Sequence, residues 1–210
     1  MHDVVTHSKR RWLKPGILIG SLVPFALLVL GAIQKTLGAN PISEILNRLG
    51  LLALIFLLAS LACTPMRILF EWGWPGKVRR MLGLLSFFYA SLHFLVYVVA
   101  DQALNVGALW KDIAKRPFIL VGFGAFVLLI PLALTSTARA VKRLGGKRWQ
   151  RLHRIVYAAG ILGAVHFLLR VKKDVTEPAV YGTILALLLL VRLLPALRRR
   201  RNAWANGSEG

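Results

Sequence analysis

The chain holds one cysteine, Cys63. A lone cysteine excludes an intramolecular disulfide and a Cys-x-x-Cys-His site for covalent heme attachment. Inside an apolar run, Cys63 reads as a small core residue. Acidic side chains are nearly as scarce, eight Asp and Glu against 28 Lys and Arg, and the net charge is +20. Other signatures are missing too. No Gly-rich nucleotide fingerprint follows a strand, no Cys/His cluster has metal spacing, and no Ser/His/Asp arrangement suggests a nucleophile. No polar segment is long enough for a soluble domain that binds nicotinamide.

What is abundant is apolar surface. Hydrophobic residues make up 57% and the mean hydropathy is +0.63, more than one soluble core of this size could bury. Six runs of helical length could each cross a hydrocarbon layer of ~30 Å. They read as Pro15–Ile33, Leu49–Met66, Leu82–Ala100, Pro117–Ser136, Ile155–Leu169 and Pro178–Leu197. The expected fold is all-α, a polytopic membrane bundle of six transmembrane helices. Residues 1–14 form a basic arm, 15–197 the transmembrane domain, and 198–210 a basic, disordered tail.

The charge follows the spans. The N-terminal arm, the 2–3 loop, the 4–5 loop and the C-terminal end, counted with Arg192 near the end of the sixth span, carry 20 of the 28 Lys and Arg, while five of the eight acids lie on the other side. By the positive-inside rule both termini are cytoplasmic. The basicity is thus a topology signal, with some affinity for lipid headgroups, and not a nucleic-acid footprint. Ser8–Lys14 ahead of an apolar run resembles a twin-arginine export signal. Five further spans favour instead an uncleaved first helix with a basic anchor.

Two histidines lie inside the spans. An intramembrane imidazole loses its hydration and needs a partner, so it is a functional hypothesis by default. His93 is 13 residues after Arg80, and His166 is 12 residues after Arg154. In the assigned topology the third and fifth spans run in the same direction, so both rings lie about 18–20 Å from the cytoplasmic basic collar. Matched depth on parallel helices suits one heme iron with two axial imidazoles. A lone membrane histidine can simply bond a neighbouring helix. With two at one depth, and no Asp or Glu within any span to build a proton relay, heme is the better reading. Asp101 and Arg170 mark the outer boundary, so this site leans outward.

His153 lies at the depth of Arg79 and Arg80, 13 residues before His166. Thirteen residues at 100° fall about 140° short of whole turns, so an ideal helix sets the two rings on different faces. Either the helix is distorted, with Gly160 and Gly163 as small-residue notches, or His153 serves something other than a stacked heme. The opposing arginines, Arg79 and Arg80, suit a heme propionate or a flavin phosphate. The competing view makes His153 an interfacial histidine in a basic loop. Elsewhere the chain reads as scaffold. Pro24 and Pro131 are expected to kink their spans, Thr64-Pro65 to end or bend the second, and the sixth span is a plain anchor.

Several stretches carry a resemblance: Arg79–Leu84, Ser91-Leu92-His93, Arg116-Pro117-Phe118, Leu134-Thr135-Ser136 and Trp149–His153, followed by His166. In this order on a six-span plan the chain resembles the ferric-reductase-like transmembrane family. Within it, the similarity is to heme-binding membrane subunits that serve bacterial repair of oxidised periplasmic proteins. The resemblance implies b-type heme, one or two, leaves room for FMN, and places the chain in the bacterial inner membrane. It also implies electrons drawn from the quinone pool or a cytoplasmic flavin reductase. They would pass to a periplasmic molybdenum-cofactor enzyme that reduces methionine sulfoxide. Two-heme members of the wider family carry two histidines on the third helix, whereas this chain has only His93 there.

Three readings follow. The chain is a heme-bearing electron conduit for a separate periplasmic reductase, not catalytic on methionine sulfoxide by itself. Alternatively it is a stand-alone ferric or quinone reductase, active without a partner. Otherwise it is a non-redox transporter or assembly factor, which would purify colourless.

Overall fold

Prolines start three of the spans. Pro41, Pro75 and Pro117 each occupy the first turn of a helix, where the missing N–H costs nothing and the fixed φ already suits the helix. At Pro41 the preceding Asn40 adds a cap, its side-chain oxygen accepting from the Ser43 N–H at 3.1 Å. The computed structural model describes residues 12–171 and 173–207, with side chains as far as Leu194. Most of the basic arm, including the paired arginines of the export-like motif, lies outside these residues.

The helices run α1 (Leu13–Ile33), α2 (Pro41–Phe70), α3 (Pro75–Val96), α4 (Val106–Lys115), α5 (Pro117–Leu134), α6 (Ala138–Leu144), α7 (Gly146–Leu152), α8 (Val156–Arg170) and α9 (Thr176–Gly207). A π turn, Tyr97–Asp101, extends α3, and a 3-10 turn, His153–Ile155, joins α7 to α8. Six spans are long and apolar enough to cross a membrane: Leu13–Ile33, Pro41–Phe70, Pro75–Asp101, Pro117–Leu134, Gly146–Arg170 and Thr176–Leu194. The all-α six-span plan is therefore the observed one.

Several boundaries differ from expectation. α2 starts at Pro41 and continues through Pro65 to Phe70, because membrane helices tolerate proline when local adjustments satisfy the freed backbone groups. At 30 residues it is about 45 Å long and overshoots the hydrocarbon layer. Pro24 and Pro131 lie inside α1 and α5. The third loop holds a helix of its own, α4, capped by Asn105, whose Oδ1 accepts from the Ala108 N–H at 2.9 Å. At the C-terminal end α9 carries helical backbone through residues 198–207. No proline or glycine follows Pro195 until Gly207, and Arg, Ala and Asn all allow the helix to persist.

Packing is organised as two tight helix pairs, α2 with α3 and α5 with α8. Ser86, 1% exposed, pins the first pair by donating to the Ala53 carbonyl at 2.8 Å. Leu54, Leu57, Leu58 and Leu61 of α2 meet Leu129 and Leu132 of α5, Ala159 of α8 and Leu185 of α9 in one core. Gly160 of α8 packs beside Leu61 and Leu185, where a Cβ would stand in ordinary contact, 3.5 Å from each. α1 is peripheral. Its tether is Tyr89, fully buried on α3, whose hydroxyl donates to the Ser21 carbonyl. Large apolar side chains such as Leu27, Leu30, Leu187 and Leu190 face outward, as a lipid-facing surface requires.

Candidate functional site

His93 lies on α3 and His166 on α8, one from each tight pair. Each imidazole is fixed by the partner helix of its own pair. The His93 Nδ1 lies 2.9 Å from the Leu46 carbonyl on α2, and the His166 Nδ1 lies 2.6 Å from the Phe118 carbonyl on α5. A carbonyl only accepts, so each Nδ1 carries the proton and donates it. That leaves the Nε2 lone pair of both rings available to a metal, the arrangement in which a backbone acceptor orients a ligating histidine.

The device repeats in detail. Gly50 lies four residues after Leu46, and Gly122 four residues after Phe118. In a helix the i+4 residue stands directly beside the acceptor carbonyl. A Cβ at Gly50 would lie 3.2 Å from the His93 ring, and one at Gly122 would lie 2.6 Å from the His166 Nδ1. Both glycines are the space the imidazoles occupy. The sequence reading missed them.

The two rings face one another with centroids 6.2 Å apart and planes at 82°. An ion held by both imidazoles would need their ring centres about 6 Å apart. The two histidines expected to share one depth are thus brought side by side.

Both histidines line a cavity of about 370 Å³. Its deep walls are apolar, from Leu54, Leu57, Ala125, Leu129 and Ala159, with Phe94, Phe123 and Phe126 along one side. Its mouth is polar, where α2 and α5 begin and α3 and α8 end, and holds Asn40, Ser43, Asn47, Asp101, Arg116 and Arg170. Apolar walls, two neutral imidazoles and cations at one end fit a flat apolar macrocycle with acidic arms, which is the chemistry of heme. The π turn shapes this mouth, as such turns do at functional sites. It brings the Tyr97 hydroxyl 3.0 Å from Asp112 Oδ2. Asp112 also pairs with Arg116 at 2.8 Å.

His153 is elsewhere. It does not line this cavity. Its ring stacks on Trp149 with centroids 3.9 Å apart, and its Nε2 lies 3.0 Å from Thr135 Oγ1. The Thr135 hydroxyl spends its one proton on the Pro131 carbonyl at 2.6 Å, so it accepts from an Nε2–H of His153. This tautomer leaves Nδ1 unprotonated, the reverse of the other pair. Trp149 completes the clamp, its indole N–H donating to the Thr135 carbonyl at 2.9 Å. The helix distortion contemplated at Gly160 and Gly163 occurs instead at His153 itself, where the backbone tightens into the 3-10 turn.

Arg79 and Arg80 are both exposed and near enough for their charges to act on His153. Arg79 Nη1 lies 3.5 Å from Thr64 Oγ1. The sixth span is more than an anchor. Its Arg192 turns into the bundle, donating to the Tyr157 hydroxyl and the Leu61 carbonyl, both at 2.6 Å.

Known proteins agree with this plan. The family described as "ferric reductase like transmembrane component" matches residues 45–164. A relative from Rhodospirillum rubrum is 51% identical over 189 residues, covering 90% of this chain and 91% of its own. One from Herminiimonas arsenicoxydans is 49% identical over 201 residues, covering 94% and 92%. A third, from Deinococcus radiodurans, is 46% identical over 192 residues, covering 91% and 95%. All three bear the name protein-methionine-sulfoxide reductase heme-binding subunit MsrQ. By matched region, identity and six-span architecture, the chain belongs to the MsrQ family within the ferric-reductase-like transmembrane proteins.

Proposed function

We propose that the chain is the heme b membrane subunit of a methionine sulfoxide reductase system, with His93 and His166 as the axial ligands of one iron. A single observation carries this reading: two imidazoles, each with Nδ1 bound to a backbone carbonyl, converge at 6.2 Å inside an apolar cavity. Bound there, heme supplies a one-electron carrier within the hydrocarbon layer. The protein's part is to hold the imidazoles, exclude water and set the site's polarity. Gly50 and Gly122 admit the rings, Leu46 and Phe118 fix their orientation, and Arg116 and Arg170 offer cations at the mouth to acidic arms.

The wider assignment rests on family membership together with charge. The termini are cytoplasmic in the bacterial inner membrane, and the mouth of the cavity opens to the periplasm. Electrons enter from the quinone pool or a cytoplasmic flavin reductase. They leave to a periplasmic molybdopterin-containing catalytic subunit that reduces methionine sulfoxide in oxidised proteins. At the inner end, His153, Arg79 and Arg80 receive an anionic cofactor, a second heme through its propionates or FMN through its phosphate. His153 offers Nδ1 there while Thr135 keeps Nε2.

The visible spectrum and heme-to-protein ratio of the purified chain, oxidised and reduced, test the reading. His93→Ala and His166→Ala should each abolish the same heme signal while the protein still inserts. Full heme in either variant would remove the pairing, and a colourless wild-type protein would remove the function.

A further inference from the structure

Arginine near the end of a membrane span normally snorkels, laying its stem along lipid and its charge in the headgroups. Arg192 does the opposite. Its guanidinium points between helices and stacks over the Tyr157 ring, with Cζ 5.0 Å from the centroid. Its two protein acceptors, the Tyr157 hydroxyl and the Leu61 carbonyl, are neutral. Its Nε is closed off from solvent with no partner among the described residues. The salt bridges among those residues, Glu44–Arg48 and Asp112–Arg116, both lie at the other end of the bundle.

A second cation approaches the same turn of α2. Arg79 reaches Thr64 from α3, and its own carbonyl accepts from Ser60 Oγ at 2.9 Å. Leu61 and Thr64 are three residues apart and share a face of α2. Two permanent charges therefore flank residues 60–64, and among the described residues neither guanidinium is in a salt bridge. A guanidinium removed from water is held stably when an anion with good geometry compensates it. Its planar fork matches phosphate oxygens in particular.

Depth selects the ligand. Arg192 is 16 residues after Thr176, about 24 Å along α9, close to the far face of a ~30 Å hydrocarbon layer. Phosphate groups are concentrated at that level. We propose that Arg192, with Tyr157 and Arg79, forms a phosphate-binding site at the inner end of α2. The phosphate belongs either to an anionic lipid headgroup or to a soluble phosphate ester. The site shares Arg79 with the inner cofactor site proposed above but is centred on Arg192, and it stands whether or not a second heme is present.

The test uses the full chain in neutral detergent, comparing wild type with R192Q, and with R143Q, at an exposed arginine of α6 outside both proposed sites, as a control. Thermal unfolding followed by tryptophan fluorescence is measured after adding phosphatidylcholine, phosphatidylglycerol, inorganic phosphate or FMN. The wild type and R143Q should gain several degrees with phosphatidylglycerol, or with phosphate and FMN, and the responding arm identifies the source. R192Q should lose that gain, and in phosphatidylcholine it should be at least as stable as wild type, because it no longer carries an unanswered charge. Native mass spectrometry of the wild type should show the corresponding adduct, a measurement that survives poor folding of R192Q. Equal gains in wild type and R192Q, or no gain and no adduct in the wild type, would overturn the site. So would an R192Q defect of the same size with and without phosphate. Loss of the cofactor reading alone would appear differently, as unchanged cofactor content in the R79Q/R80Q double variant.

Discussion

Gly122 stands against the imidazole of His166 so closely that a methyl group there would come within 2.6 Å of Nδ1. No real contact is that short, and the ring cannot retreat without surrendering its bond to the Phe118 carbonyl. Gly122→Ala should therefore displace His166 and release most of the heme from the His93/His166 site. Overpacking of this kind costs about 1–3 kcal/mol. Gly50→Ala meets His93 at 3.2 Å, a contact a small shift can relieve, so its loss should be milder. Heme-to-protein ratios of the two variants, beside their thermal midpoints, check both the direction and the order. Equal, undiminished heme in both would mean the rings are not held as described.

The inner histidine calls for a different substitution. Thr135 holds the Nε2 of His153 and Trp149 covers its ring. Thr135→Val keeps the side-chain shape and removes the acceptor, freeing Nε2. If His153 serves an anionic cofactor through Nδ1, this variant should alter that cofactor's spectrum or potential. Replacing Arg79 and Arg80 by Gln should weaken its retention, and the His93/His166 heme should be untouched in each case. Unchanged cofactor content and unchanged reduction by the donor in all three changes would make His153 an interfacial histidine and the arginines topology anchors.

How much of this was legible in the sequence depends on the range of the signal. The spans follow from local composition, and matched depth needed only residue counts from Arg80 to His93 and from Arg154 to His166. Gly50 and Gly122 have no such local signature. Each is one glycine among 18, and its meaning comes from a ring 43 or 44 residues away. Arg192 has no local signature either, because its orientation depends on Tyr157 and Leu61 in other helices. The 3-10 turn at His153 was also hidden. An ideal 3.6-residue period correctly reported a conflict between His153 and His166 but could not say where the helix would yield.

The peripheral first helix offers a stability prediction. Tyr89 is fully buried and its hydroxyl serves the Ser21 carbonyl across the α1–α3 boundary. Tyr89→Phe keeps the ring stacked on Phe56, 5.4 Å away, and leaves that carbonyl without this donor. A membrane hydrogen bond contributes about 0.6 kcal/mol on average and up to about 1.7. The variant should fall in that range in denaturant unfolding, with faster hydrogen exchange confined to α1. Heme content should be normal.

The final prediction concerns dependence on a partner. The cavity holding His93 and His166 is about 370 Å³ and lies within the bundle. A side chain of an oxidised protein, still attached to its backbone, would have to cross the polar mouth of Asn40, Arg116 and Arg170 to reach it. Such a mouth can accept acidic arms or dock another protein, but it encloses no pocket for a polypeptide substrate. The reduced chain should therefore be stable when purified alone and reoxidise quickly only when a periplasmic catalytic subunit and its sulfoxide substrate are both present. Stopped-flow absorbance at the heme band, with each component omitted in turn, measures this directly. A reporter fused to the C-terminus should read cytoplasmic, since 20 of the 28 basic residues lie on that side. In a deletion strain periplasmic sulfoxide repair should fall while cytoplasmic repair is untouched. If the purified chain alone reduced methionine sulfoxide at a useful rate, it would be an enzyme in its own right and the conduit reading would be wrong.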